Sequence, residues 1–380
     1  MDFNFAEEQE MLKTTARDFL ADKCPKSLVK QLQEDEKGYS PELWQEMARL
    51  GWMGLTLPEK YGGTAMSFLD LAVLIEEMGR ACLPGPFIST AITGALPILE
   101  FGTDAQKQTY LPGISAGKTI FTLALTEGGG PPRADDAASI STNATADKDG
   151  YVINGTKLFV PDANVADYML VVARTDEKAA PEKGLTVFIV DAKSQGITRT
   201  LLKTIARDKL CEVVFKGVKV SRENILGKPS LGAEIMQEIM RHMSIAKCCT
   251  ILGSIQQMLE MSVQYAKDRV QYDKPIGSFQ VIQHYCANMA TDVDGLRFAT
   301  YQAAWMLSQG LACRQEAAIA KSWANEAYLR VSTLAHQLHG AIGCTIDHDL
   351  QFYTRQGAAA ALSFGSSDDC REIVAEEMGL

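Results

Sequence analysis

"ASISTNATADKDGYVINGTKLFV", residues 138–160, decides the architecture. Upstream of it apolar residues recur at helical steps. Within it they alternate, and Asp149-Gly150 and Asn154-Gly155 read as two hairpin signals between the alternating segments. "TIFTLALTE" (119–127) precedes it as a short apolar strand, and "ADYMLVVART" (166–175), "GLTVFIVDA" (184–192) and "CEVVFKGVKV" (211–220) continue the strand character. The pattern predicts a contiguous β-domain of roughly a hundred residues set between helical parts.

Outward on the N-terminal side, "EEQEMLKTTARDFLADK" puts Met11, Leu12, Ala16, Phe19 and Leu20 on one helical face. "SPELWQEMARLG" opens on a Ser40 cap with Pro41 at the first helical position and stops at Gly51. The Gly62-Gly63 pair marks a sharp turn, and Pro84 and Pro86 end the helix that begins after Ser67. On the C-terminal side, Ile282, Tyr285, Cys286, Met289, Val293 and Leu296 form a stripe wide enough for bundle packing. The alanine-rich run 317–343 permits close helix contact. The expected fold is α+β: a helical domain over 1–118, a β-domain over 119–228 and a four-helix bundle over 229–380.

Composition narrows the function. A net charge of −10 argues against nucleic-acid binding, which needs a basic face. No run of apolar residues is long enough to span a bilayer, and "MDFNFAEEQEM" lacks the order of a signal peptide, so a cytoplasmic protein is expected. The 9 cysteines are scattered without C-x-x-C spacing, which reads as reduced, mostly buried thiols and no zinc site.

Individual motifs are weak. "LTEGGG" (125–130) offers backbone N–H groups to an anionic or planar ligand, but alone it reads as a β-turn. "RVQYDKPIGSFQ" (269–280) leaves a helix, turns at Pro275 and Gly277 and re-enters one; Arg269 suits a phosphate, although most helix-end arginines are surface charges. "QLHGAIG" (337–343) alone reads as a helix C-cap. Their order and spacing together are specific. With "LPEKYGG", "YVINGTKLFV" and "FKGVKVSRENILG", they make the chain resemble the acyl-CoA dehydrogenase family along essentially its whole length.

The resemblance implies FAD held by residues of the β-domain and the bundle, an acyl-CoA substrate, a homo- or hetero-tetramer and an electron-transfer flavoprotein as acceptor. It implies α,β-dehydrogenation: a carboxylate takes the α-proton of the thioester while the β-hydrogen leaves as hydride to the flavin. By the same resemblance Leu125 and Thr126 line the flavin ring, and Phe159 stands where the family has a tryptophan. Pro161 takes the place of a threonine that faces the flavin, and Pro131-Pro132 that of a glycine-serine pair. Arg269 and Gly340 meet the pyrophosphate, Tyr272 the adenine, Gln280 and Gln337 the cofactor, and Ser366 and Asp368 its adenylate end. Ser244 and Lys247 are assigned to the substrate, with Lys247 replacing the usual arginine.

One departure stands out. In "RQGAAAALSFGSSDD" (355–369) the position of the family's catalytic glutamate falls on Phe364, followed in register by Gly365. The alternative glutamate position, seven residues before Gly253, is Ala246. Phe364 retains only a backbone N–H for the thioester oxygen, a contact typically worth about 3 kcal/mol. Three readings follow: an enzyme with an atypical base, sought among Glu127, Asp135, Asp368 and Asp369; a base-less FAD-binding subunit of a hetero-oligomer; or a scaffold that has lost FAD. Retention of Arg269, Gln280 and Gln337 disfavours the last.

Overall fold

The structure, a computed structural model, describes residues 5–128 and 137–380. The first helices are α1 (Glu7–Lys23), α2 (Lys26–Glu34), α3 (Pro41–Arg49), α4 (Phe68–Ala81), α5 (Ala95–Phe101) and α6 (Asp104–Ser115). Strands β1 (Phe121–Ala124), β2 (Asn143–Asp147), β3 (Gly150–Pro161) and β4 (Tyr168–Arg174) follow. Next come β5 (Leu185–Asp191), β6 (Ile197–Leu201), β7 (Leu210–Ser221) and β8 (Ile225–Leu226). The long helices α7 (Gly232–Asp268) and α8 (Gln280–Ser308) flank a small hairpin of β9 (Val270–Gln271) and β10 (Lys274–Pro275). The chain closes with α9 (Arg314–His339), α10 (Leu350–Ala361) and α11 (Ser367–Glu377). Among the described residues no helix is long and apolar enough to cross a membrane. The cysteines are free and mostly buried.

Two compact units emerge. One comprises Lys30–Ser67 and Pro84–Met243. Its sheet runs β6-β7-β3-β2-β4-β5-β8, with β1 paired in parallel to β4. Alternation delivers Ile153, Met169, Val171, Phe188, Val213 and Phe215 to its buried core. Asp149 does lie in the turn joining β2 to β3. Asn154-Gly155 does not form a second hairpin. It sits inside β3 at a register shift against β7, where the Asn154 amide oxygen accepts the Gly217 N–H at 2.8 Å. Gly155 is required there because its φ is +153° and a Cβ would meet Thr142 Oγ1 at 2.4 Å. At the other end of the unit, Ser40 caps α3 by accepting the Leu43 N–H at 3.2 Å.

The other unit comprises Met1–Val29, Phe68–Leu83 and Ser244–Leu380. Glycines bring its helices close: a Cβ on Gly79 would reach the Thr250 carbonyl oxygen at 2.4 Å, and one on Gly253 the Glu76 carbonyl oxygen at 2.0 Å. Glu76 and Glu77 are buried on α4, answered by Lys13, Arg297 and Tyr301 for the first and by Arg17 for the second. On α1, Ala16 and Leu20 are buried but Met11 is 65% exposed, so the inward face is narrower than its apolar spacing suggests. On α8 the predicted stripe is buried at Met289, Val293 and Leu296 and half-buried at Ile282, Tyr285 and Cys286.

The β-containing unit has a charged pin at its centre. The Lys157 ammonium, fully buried on β3, donates to Glu127 Oε1 at 2.6 Å and to the Leu125 carbonyl at 3.1 Å. Glu127 also accepts the N–H groups of Ser141 and Thr142. Burial opposes its ionisation, but Lys157 and these bonds outweigh it and hold the carboxyl at about 2. The folded value is depressed, so the stabilisation is complete above the ordinary carboxylate range and is lost as pH falls from about 4.5 towards 2. Glu127→Gln leaves a buried ammonium without its counter-ion and should cost about 3–5 kcal/mol. Urea unfolding at neutral pH should show that loss, and a Glu127→Leu, Lys157→Met double variant should recover most of it.

Candidate active site

The alanines of α10 favour helix, and its Gly357 lets the ring of Tyr328 approach to 2.3 Å from where a Cβ would stand. The helix cannot continue past Leu362 into Phe364, which adopts φ +56°, nor into Gly365 at φ +121°. A left-handed phenylalanine costs on the order of 1–2 kcal/mol, so the surroundings must hold it. They hold it by its carbonyls. Ser244 Oγ donates to the Phe364 carbonyl at 2.9 Å. Lys321 Nζ donates to the Gly365 carbonyl at 3.0 Å, and Asn325 Nδ2 joins it there at 3.2 Å. The backbone N–H groups of Phe364 and Gly365 have no acceptor among the described residues. Lys247 Nζ lies 6.0 Å from the centroid of the Phe364 ring. The structure thus gathers Ser244, Lys247, Phe364 and Gly365 into one cluster.

Among the described residues, none of the contacts that define that cluster is to a carboxylate. Ala246 is fully buried in α7, and its carbonyl accepts the Thr250 hydroxyl. Just past the turn, Ser366 spends its hydroxyl capping α11, accepting the Asp369 N–H at 3.1 Å and donating to the Asp369 carboxylate. Asp368 is exposed and pairs with Arg371 at 3.0 Å. Glu127 is saturated by the contacts already described. Asp135, Pro131 and Pro132 lie outside the described residues.

At the far end of α7, Arg269 begins the β9–β10 hairpin, and its carbonyl accepts the Ile276 N–H at 2.8 Å. The chain reverses at Tyr272-Asp273 rather than at Pro275 and Gly277. Both turn residues have positive φ, +53° and +60°, the two-residue form whose twist matches a hairpin. Tyr272 is 87% exposed and Gln280 opens α8 with its side chain in solvent. Gln337 and Gly340 share an open depression of about 530 Å³ with Ser332, Thr333 and His336. Behind it His339 stacks on Tyr265 at 4.6 Å and meets His348 edge-on at 4.9 Å. Burial pulls the His336 and His339 imidazoles below their ordinary range, keeping them neutral at physiological pH.

In the β-containing unit the Thr126 carbonyl accepts the Leu158 N–H at 2.8 Å, which ties the segment after β1 to β3. Next to that bond β3 shifts register, and Phe159 takes φ +53° with half its surface exposed. Pairing resumes at Val160 opposite Cys211, and Pro161, opposite Leu210, accepts the Thr122 hydroxyl on its carbonyl. The Thr126–Leu158 bond therefore brings Leu125, Thr126 and Phe159 close together, Leu125 itself being buried. Ser89, Thr90 and Thr93 lie on a buried π-helical turn, Ser89–Gly94, bonded to Asp162, to the Phe121 N–H and to the Ser89 carbonyl respectively. Sequence reasoning missed Lys321 and Asn325. The available signal was a single lysine with an asparagine one turn later on an otherwise apolar, alanine-rich face.

Family models for acyl-CoA dehydrogenases match nearly the whole chain: the N-terminal domain over residues 6–118, the middle domain over 122–218 and the C-terminal domain over 231–379. A probable acyl-CoA dehydrogenase of Bacillus subtilis (strain 168) is 30% identical over 385 residues, covering 100% of both chains. A short-chain-specific acyl-CoA dehydrogenase of Megasphaera elsdenii is 32% identical, covering 97% of each. The structure of glutaryl-coenzyme A dehydrogenase with glutaryl-CoA superposes with a TM-score of 0.92 at 30% identity, covering 100% of this chain and 97% of that one.

Gly340 tests the depression at the end of α9. Its φ of +64° with ψ of −145° is a conformation that essentially only glycine adopts, yet no atom lies within 4 Å of where a Cβ would stand. Gly340→Ala should therefore cost about 1–3 kcal/mol through backbone strain alone, read as a lowered unfolding midpoint.

Proposed function

This chain belongs to the acyl-CoA dehydrogenase family, and from that premise we propose that it is an FAD-dependent oxidoreductase for the α,β-bond of an acyl-CoA thioester. The observation that carries the proposal is the Phe364–Gly365 turn, whose carbonyls are engaged and whose N–H groups are free to bind an oxyanion. Those donors would bind the thioester oxygen, and the Lys247 ammonium beside the ring adds positive charge where the enolate would develop.

The residues present fit FAD. Gly340 leaves its backbone open to close approach, and Gln337 faces the same depression with a side chain that both donates and accepts. Arg269, Tyr272 and Gln280 expose a charged donor, an aromatic face and an amide for the diphosphate and adenine. Ser366 and Asp368 would meet the adenylate end. Leu125, Thr126, Phe159 and Pro161 would meet the flavin, whose chemistry when bound is to accept the hydride from the substrate's β-carbon. Arg269→Ala removes a charged donor and should weaken FAD binding by on the order of 2 kcal/mol, about thirtyfold. The wild type should purify yellow. Absorbance of the protein after FAD titration checks both, and a colourless wild type that ignores added FAD would overturn the assignment.

A second reading is favoured by the missing carboxylate. Phe364 and Ala246 occupy both customary base positions, while Glu127, Asp368 and Asp369 are committed to other partners. On that reading the chain is the base-less, FAD-binding subunit of a tetramer whose other chain type supplies the base, with an electron-transfer flavoprotein taking the electrons. Phe364→Glu discriminates. It introduces a carboxyl whose pKa the apolar surroundings raise towards working pH, and a placed base is worth about 10²–10⁴ in rate. Anaerobic mixing with acyl-CoAs should leave the wild-type flavin oxidised and bleach that of the variant. Fast bleaching of the wild type alone would establish a base within this chain.

A further inference from the structure

We propose that Lys321 is the positioning residue of the thioester-binding turn: with Asn325 it anchors the Gly365 carbonyl and ties it to the end of α10, so that the backbone carrying the Phe364 and Gly365 N–H groups is held between two fixed points. The identity of the ligand rests on the function proposed above; the clamp itself rests on the geometry.

Lys321 sits on α9 with no exposed surface and no carboxylate partner among the described residues. Its ammonium is surrounded by oxygens: Asn325 Oδ1 at 2.6 Å and the carbonyls of Gly365, Ala361 and Ala360 at 3.0, 3.2 and 3.3 Å. The Ala360 and Ala361 carbonyls belong to the C-terminal turn of α10, where unpaired acceptors and the helix dipole favour a cation. Capping α10 explains those two contacts but not the reach to Gly365, which Asn325 reinforces.

Peptide planarity explains why that reach matters. In a trans peptide the carbonyl of one residue and the N–H of the next point in opposite directions. Ser244 on the Phe364 carbonyl therefore aims the Gly365 N–H outward. Lys321 and Asn325 on the Gly365 carbonyl aim the Ser366 N–H towards the Asp369 carboxylate, which accepts it at 3.2 Å. Two consecutive peptide planes are thus fixed, and with them the conformation of Gly365 between them, φ +121°. Loss of Lys321 frees the second plane and the end of α10 together, so both ends of the segment that carries the Phe364 and Gly365 N–H groups lose their anchor.

Protonation gives the clamp a signature. Burial pulls the Lys321 ammonium down to about 8, against the favourable influence of Cys248 on α7 and Cys370 on α11 and with Lys247 on α7 adding to the fall. Burial pushes those two thiols up to about 12 and about 11, so they stay neutral while Lys321 titrates. Above that value the amine turns a lone pair towards carbonyls it had been donating to.

The test compares wild type, Lys321→Met and Asn325→Ala, each loaded with FAD, in two measurements. Without substrate, amide hydrogen exchange over residues 357–370 should rise about tenfold in Lys321→Met while α1 and α4 keep their protection. With substrate, binding of a saturated acyl-CoA series is compared with that of the matching alkyl-CoA thioethers, which lack only the carbonyl. The wild-type preference for thioester should fall as pH rises through about 8; at pH 7 it should be about tenfold smaller in Lys321→Met and about threefold smaller in Asn325→Ala. Unchanged exchange, or equal losses for thioester and thioether, would overturn the proposal. Should Lys321→Met fail to fold, Asn325→Ala and the wild-type pH profile decide the same question. A wild type that binds neither ligand defeats the function proposed above, while the exchange measurement still decides the clamp.

Discussion

A strained two-residue turn between α10 and α11 constrains the helical unit. Phe364 adopts a left-handed backbone that its side chain disfavours, and hydrogen bonds on the carbonyls of residues 364 and 365 anchor the turn. Those bonds come from α7 through Ser244 and from α9 through Lys321 and Asn325, so the packing of α7, α9 and α10 is transmitted to the direction of a few backbone donors. The alanines of α10 and the glycine at 357 follow from the same need, because bulkier residues would hold the helices too far apart for one ammonium to reach the carbonyls of residues 360, 361 and 365.

The β-containing unit solves a similar problem with a charge pair. Lys157 and Glu127 fix the segment after β1 against β3, and the register shift beside them turns Phe159 outward. A bulged strand that presents an aromatic ring beside Leu125 and Thr126 needs this rigidity, since the residues that would face a flat cofactor stand on irregular backbone. In both units an interior ammonium donates to backbone of a segment that carries candidate ligand contacts, one carbonyl for Lys157 and three for Lys321.

The order helical, β, helical was legible because side-chain period changes abruptly at β1 and again at α7. The Ser40-Pro41 cap and the Asp149-Gly150 turn were legible for equally local reasons. Asn154-Gly155 misled because the same dipeptide serves a bulge inside a long strand, and only the crowding of Thr142 distinguishes the two. The reversal at Tyr272-Asp273 escaped because tyrosine is a poor candidate for positive φ, whereas Pro275 and Gly277 are common turn residues. That the family's two base positions fall on Phe364 and Ala246 is an expectation from the resemblance, placed by counting from Arg355 and Gly253. What local sequence does not encode is which buried lysine reaches which carbonyl: the contacts of Lys321 exist only once α10 and the turn after it are packed against α9.

The central claim is that the Phe364–Gly365 turn receives the thioester oxygen on its backbone N–H groups. A crystal structure of the FAD-loaded protein with a bound acyl-CoA tests it most directly. The thioester oxygen should lie about 3 Å from the Phe364 or Gly365 nitrogen, with Lys321 still on the Gly365 carbonyl. An acyl-CoA bound with its carbonyl away from that turn, or a turn that reorganises and releases Lys321 on binding, would contradict the account.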